Sequence, residues 1–168
     1  MKTARYWIEK LDLQKHPEGG WFAEIYRSGE ILEKNSLPGR YSGERNFSTS
    51  IYYLLEKNDV SFFHRIRSDE LWHFYTGSSP VEVILLIGGE ARKKKLGPNF
   101  EKGESFQVVI PQGTWFAAHL TNREGYALIG CTVAPGFNFE DFELAGREKL
   151  LIIFPHLKST IVKFTSDY

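Results

Sequence analysis

The chain has 168 residues, with 21 basic and 21 acidic side chains that cancel to a formal net charge of zero and an aromatic content of 15%. That length suits one ordinary domain around one hydrophobic core. The balanced charge removes the long-range field on which generic binding to phosphate backbones or anionic lipids relies, so neither nucleic acid nor a membrane is an expected partner.

The single cysteine, Cys131, lies in the apolar run 126–133 and reads as a small buried hydrophobe. No intramolecular disulfide is expected, and a reducing, cytoplasmic setting is inferred. Residues 1–10 carry Lys2, Arg5, Glu9 and Lys10 with no apolar block, and aliphatic runs such as 83–87 are short. Neither a signal peptide nor a membrane span is expected.

In chain order, Thr3 is placed to cap a short helix bearing Trp7, Ile8 and Leu11, which His16, Pro17, Gly19 and Gly20 end. Residues 21–28 read as an extended aromatic strand. Residues 30–45, polar and holding Pro38, Gly39 and Gly43, read as a surface loop or lid. Strand-like runs follow at 47–55, 60–67, 70–76, 81–87, 92–96, 105–110, 114–118 and 126–133, with connections too short for a helical crossover. The basic side chains Arg92, Lys93, Lys94 and Lys95 fall between apolar strand segments and read as a solvated turn. Helical spacing returns at 147–154 before Pro155 stops it. The pattern predicts one all-β domain over residues 1–168, a jelly roll or barrel with a short helix at each end.

Alternate residues of a strand share a face. Phe62, His64 and Ile66 form the more apolar row of one strand, and Glu70, Trp72 and Phe74 form a row of the next, with a tight Ser68-Asp69 turn between them. Glu70 and His64 are thereby brought close inside an aromatic-lined interior. Burial and a neighbouring imidazole both shift a carboxylic acid's pKa, which suits acid–base chemistry near neutral pH. A structural hydrogen bond and a metal site are competing readings of the same spacing. Glu24 shares a row with Phe22 and Tyr26, as either a pocket group or a solvated edge carboxylate. Trp72 and Trp115 offer flat faces to a ligand, and Tyr52 and Tyr126 offer hydroxyls. Asn138, Glu140, Asp141 and Glu143, after a Pro135-Gly136 turn, read equally as a cap on the barrel mouth or as a polar surface loop. His16 is weighed as a pocket residue but beside Pro17 reads as a turn brace, and His156 behind Pro155 reads the same way; neither is assigned a role.

Residues 63–77 resemble the first cupin motif, in which H-x-H is followed by Glu and then Gly, with His64, Glu70 and Gly77 at the matching positions. Pro111, Gln112, Gly113, Thr114, Trp115 and Phe116 resemble the second, where Pro-x-Gly precedes a metal-binding His. Blocks at 16–28, 68–77, 111–118 and 130–144 closely resemble an uncharacterised cupin subfamily labelled predicted sugar epimerase. The resemblance runs from about residue 7 to about residue 148. It implies a double-stranded β-helix, the cupin jelly-roll barrel, enclosing a pocket.

Metal-binding cupins hold their ion with two His and a Glu from the first motif and a His from the second. Here Ile66 and Phe116 occupy two of those four positions, so only His64 and Glu70 remain as weak metal candidates and no cofactor is expected. Strand parity sets His73 and His119 on the opposite faces, with His73 expected in a surface or interface hydrogen bond and His119 at a loop edge. The expected function is a metal-independent isomerase or epimerase acting on a small polar ligand such as a sugar or sugar nucleotide. His64 would abstract the proton, with Glu70 and Tyr126 as its partners. Glu24, Tyr52, Ile66, Trp72, Phe74, Trp115 and Phe116 would line the ligand site. A non-catalytic binding cupin and a metal-dependent oxygenase are the alternatives. Cupins of this size resemble homodimers that exchange an N-terminal strand, so a homodimer is expected.

Overall fold

A computed structural model describes residues 2–166. Thr3 caps helix α1 (Ala4–Lys10), its hydroxyl accepting the Tyr6 N–H. Strands β1 (Gln14–Lys15), β2 (Trp21–Arg27), β3 (Ile31–Leu32), β4 (Arg45–Asn46), β5 (Thr49–Glu56), β6 (Val60–Arg65) and β7 (Asp69–Gly77) follow. Next come β8 (Val81–Ile87), β9 (Glu90–Leu96), β10 (Glu104–Ser105), β11 (Gln107–Ile110), β12 (Trp115–Leu120), β13 (Tyr126–Ala134) and β14 (Glu143–Leu144).

Two six-stranded sheets, ordered β1-β2-β5-β13-β7-β11 and β10-β9-β8-β12-β6-β14, face each other in the expected jelly roll. Strand β2 pairs with β5 of the same chain. Tyr53, Trp72, Leu85, Phe116 and Ile129 are among the side chains that fill the space between the sheets.

Three local expectations are corrected. The basic run at 92–95 is no turn: it belongs to β9, which pairs with β8 from Glu90 to Leu96. The turn lies earlier, at Gly88 and Gly89, whose positive φ angles of 63° and 83° allow a tight hairpin. The segment 30–45, expected as a surface loop or lid, closes on itself through the β3–β4 pair. Pro155 ends helix α2 (Arg147–Ile153) but opens a 3-10 turn leading into α3 (Lys158–Lys163), because proline's fixed φ suits the first position of a helical turn. The two helices bury Phe63, Trp115 and Ala117 on the outer face of the second sheet. Among the described residues, no helix is long and apolar enough to cross a membrane.

The register of β6 against β12 shapes the site. Phe116 pairs with His64 but Ala118 pairs with Ser61, so β6 carries one extra residue between them. Such a bulge reverses the parity of alternation. Ser61, rather than Phe62, therefore shares the interior with His64, while Phe63 turns outward against Phe164.

Beyond β13 the chain crosses the open end of the barrel, and β4 anchors it there. Arg45 donates from Nε and Nη2 to the two carboxylate oxygens of Asp141 at 2.6 and 2.7 Å, with both side chains 2% exposed. Removing one partner of such a pair leaves a buried charge uncompensated. Arg45→Ala is expected to cost about 3–5 kcal/mol in denaturant unfolding. Arg65→Ala, which breaks the half-exposed pair with Glu143, is expected to cost about 1 kcal/mol or less.

Candidate functional site

Between the sheets, at the end crossed by residues 135–142, lies a narrow cavity of about 80 Å³ that opens to solvent. Its floor holds Glu18, His64 and Glu70, its sides Ile51, Tyr53, Ile66 and Cys131, and its rim Phe137, Phe139 and Phe142. The polar groups of that floor come from three strands or turns that meet only in the folded chain.

Glu18 arrives on the turn between β1 and β2. Gly19 and Gly20 there have φ of 108° and 70°, and a Cβ on Gly19 would overlap the Val60 carbonyl. Only glycine lets this turn press so closely on β6. The Glu18 backbone carbonyl accepts the Phe62 N–H at 2.8 Å. Its carboxylate accepts from Ser61 Oγ at 2.8 Å and meets His64 Nε2 at 2.9 Å.

His64 is held at both nitrogens. Nδ1 lies 2.8 Å from the Phe62 carbonyl, which can only accept, and Nε2 faces the Glu18 carboxylate. An imidazole that donates from both nitrogens is a cation. Burial works against charge on both partners, but their attraction and hydrogen bond prevail. Glu18 is held at about 2, with the Ser61 hydroxyl assisting. His64 is raised above its ordinary value, with Glu70 and the Phe62 carbonyl assisting.

Glu70 behaves differently. It is 7% exposed and accepts the Trp72 indole N–H at 2.8 Å. Burial pushes its pKa up to about 7, with the nearby His64 cation opposing the rise and the Glu18 charge adding to it. The Cys131 thiol is its neighbour, and burial keeps that thiol protonated.

The residues expected from the sequence divide into three groups. His64, Glu70 and Ile66 face the cavity, and Glu24 stands at its mouth in an ion pair with Arg27 at 2.7 Å. Trp72 and Phe116 lie beneath the floor, with the Phe116 ring 4.1 Å from that of His64, and Phe74 packs against the same core away from the cavity. Tyr52, Tyr126 and Trp115 are outside it. Tyr126 takes the Trp7 indole N–H at 3.3 Å under α1, and Tyr52 faces Tyr75. Trp115 sits under the C-terminal helices with Arg65 over its ring. Parity explains each case: Tyr53, Ala127 and Phe116 occupy the inward positions beside them.

Glu18 is the site residue that sequence reasoning passes over, whereas His16 is considered there for the pocket and set aside as a turn brace. The available signal was a carboxylate placed directly before a Gly-Gly pair, but its partner lies on β6 and only the fold unites them.

The residues present do not fit the metal that many cupins carry. Ile66 and Phe116 offer no lone pair, and His64 Nε2 bears a proton engaged by Glu18. Among the described residues no cluster of three or more His, Cys, Asp or Glu has a metal-binding arrangement. His73 lies on the opposite side of β7 from Glu70. His119, on the outer face of β12, bonds Glu82 at 3.3 Å and stacks on Phe164. It is thus a strand residue under α3 rather than the loop-edge residue expected.

NMR titration tests the charge assignment. The His64 imidazolium is expected to persist above pH 6.5 in the native protein. In Glu18→Gln, burial acts unopposed by the carboxylate and His64 is expected to titrate below 6.5.

Residues 5–145 match the family model described as Cupin superfamily (DUF985). An uncharacterized protein of Saccharomyces cerevisiae is 33% identical over 153 residues, spanning 85% of this chain and 76% of the yeast protein. The crystal structure of a Shewanella oneidensis protein superposes with a TM-score of 0.89 at 32% identity, covering 100% of each chain. A hypothetical protein from Leishmania major gives 0.89 at 27% identity, covering 99% of this chain and 100% of its own. With a family model matched over most of its length and close structural agreement with these relatives, the chain belongs to the Cupin superfamily, within the DUF985 family.

Proposed function

We propose that the barrel pocket is a proton-transfer site for a small, uncharged hydroxy-carbonyl compound such as an unphosphorylated sugar, and that Glu70 moves the proton. One observation carries this reading: Glu70 is a buried carboxyl with no ion-pair partner among the described residues and a pKa of about 7, so acid and base forms are both populated near neutrality. His64, expected from the sequence as the base, has both N–H groups engaged and serves as a fixed positive charge beside the reacting carbon.

In the base form, Glu70 takes a proton from the carbon bearing a hydroxyl next to the carbonyl. The C–H electron pair becomes the C=C bond of an enediolate, and the former C=O electron pair moves onto its oxygen. The hydroxyl proton then passes to that oxygen, the carbonyl re-forms at the carbon that bore the hydroxyl, and Glu70 returns its proton to the former carbonyl carbon. A single group on one face accomplishes such an isomerisation, whereas inversion of a centre needs a second acid on the opposite face. Tyr126, which would have supplied it, lies under α1. The isomerase reading is therefore favoured over the epimerase one. The ligand is taken as uncharged because Arg27, the guanidinium in the wall, is bonded to Glu24, Asn46 and the Phe137 carbonyl, and His64 is paired with Glu18. No lining cation is left for a phosphate.

Deuterium incorporation from heavy water into a panel of unphosphorylated aldoses and ketoses, followed by mass spectrometry, tests this. The native protein is expected to label a member of the panel. Its rate should fall about tenfold per pH unit below pH 7 and level off above it, because the ionised form of Glu70 is the base. Glu70→Gln is expected to slow exchange by about 10²–10⁴-fold. Unchanged exchange in that variant would refute the assignment. A metabolite bound tightly and recovered unlabelled would establish a binding cupin instead.

A further inference from the structure

His16 lines the same cavity, and its side chain is 7% exposed. Aromatic rings fix its orientation. Phe22 meets it edge-on at 4.6 Å between centroids, Tyr53 and Phe142 do so at 6.0 Å, and Phe139 stacks at 6.5 Å. A ring boxed in this way has little freedom to flip.

Its two nitrogens have different surroundings. Nδ1 accepts the Glu18 backbone N–H at 3.3 Å, so this atom presents a lone pair. The Glu18 carboxylate is 3.5 Å from the same nitrogen, but its oxygens already accept from His64 and Ser61. A neutral imidazole with a lone pair on Nδ1 carries its proton on Nε2. Among the described residues Nε2 meets no polar partner. It is also not sealed from solvent, since Trp21 Nε1 is the one buried side-chain polar atom there without a partner. The His16 Nε2–H therefore opens on the cavity. Burial lowers the ring's pKa, and the His64 cation beyond Glu18 lowers it further while Glu18 opposes, so the ring stays neutral.

We infer that His16 is a second substrate-contacting residue of this site, its Nε2–H donating a hydrogen bond to the carbonyl oxygen of an uncharged hydroxy-carbonyl ligand. As Glu70 removes the carbon-bound proton, negative charge develops on that oxygen, and the donor strengthens its hold without giving up its proton. A neutral imidazole is suited to this because it is too weak an acid to be deprotonated by an enediolate passing through. The pairing of a carboxylate base with a neutral histidine donor is an established solution for proton transfer beside a carbonyl. The inference rests on the reading of Glu70 as the base.

Two measurements test it. In the first, the histidine rings of ¹⁵N-labelled native protein are observed at pH 7.5, alone and with dihydroxyacetone as the probe. His16 is expected to show an unprotonated Nδ1 and a protonated Nε2, with the Nε2–H resonance shifting on addition of the probe. A protonated Nδ1, or no response to the probe, would overturn the inference. In the second, deuterium exchange is compared in His16→Phe, which keeps an aromatic ring in the box, and in His16→Gln, which keeps an N–H at similar reach. His16→Phe is expected to lower kcat about 10²-fold with KM little changed, and His16→Gln to recover part of the loss. If His16→Phe exchanges at the native rate while Glu70→Gln does not, the His16 role fails and the Glu70 reading stands. If both variants exchange at the native rate, both fail. Should His16→Phe not fold, the spectrum of the native protein still decides.

Discussion

The Glu18–His64 ion pair is the interaction on which the site depends. Each ion alone in this interior would cost several kcal/mol, and only mutual attraction with complete hydrogen bonding offsets that cost. The chain meets the requirement with specific local features. A glycine pair drives Glu18 inward, a bulge in β6 turns Ser61 and His64 to the same side, and the Phe62 carbonyl holds the second imidazole N–H. The β1–β2 turn and β6 are thereby made interdependent, so the floor of the pocket forms as a unit.

The character of the other polar groups follows from this pair. With His64 cationic and Glu18 anionic, the floor is neutral, and Glu70 is left as the carboxyl free to titrate near neutral pH. Glu18 also presents its backbone N–H to His16, which leaves that ring's remaining proton toward the cavity. Where metal-bearing cupins hold a divalent cation between histidines, this chain places an imidazolium under a carboxylate. At the rim, Arg45 and Asp141 hold the segment bearing Phe137, Phe139 and Phe142 across the opening, giving apolar walls above a polar floor. Such a lining suits a small compound with an apolar face and a few hydroxyl or carbonyl groups.

The fold was largely legible in the sequence because period-two alternation and turn residues recur from Trp21 to Ala134, and the Thr3 cap was readable from residue type alone. Parity also identified His64, Ile66 and Glu70 as neighbours in one interior. Tyr52, Tyr126 and Trp115 stand out by residue type rather than by parity, and alternation alone does not sort them, for a shared physical reason. Helix α1 covers the outer face of β5 and β13, and α2 and α3 cover that of β12, so both rows of these strands are apolar and alternation no longer marks the inside. Glu18 escaped notice because its significance depends on a bulge and on contact with β6, 43 residues away at Ser61. His16, read as a turn brace, does brace the turn through Nδ1. Its cavity-facing nitrogen is visible only in three dimensions.

The central claim is that Glu18 and His64 form one energetic unit, and a double-mutant cycle in denaturant unfolding tests it most directly. Glu18→Gln and His64→Gln are each expected to cost about 3–5 kcal/mol, since each leaves a buried charge or polar group without its partner. The double variant is expected to cost little more than either single one, giving a coupling energy of about 3 kcal/mol. Losses that simply add, with coupling near zero, would contradict the account.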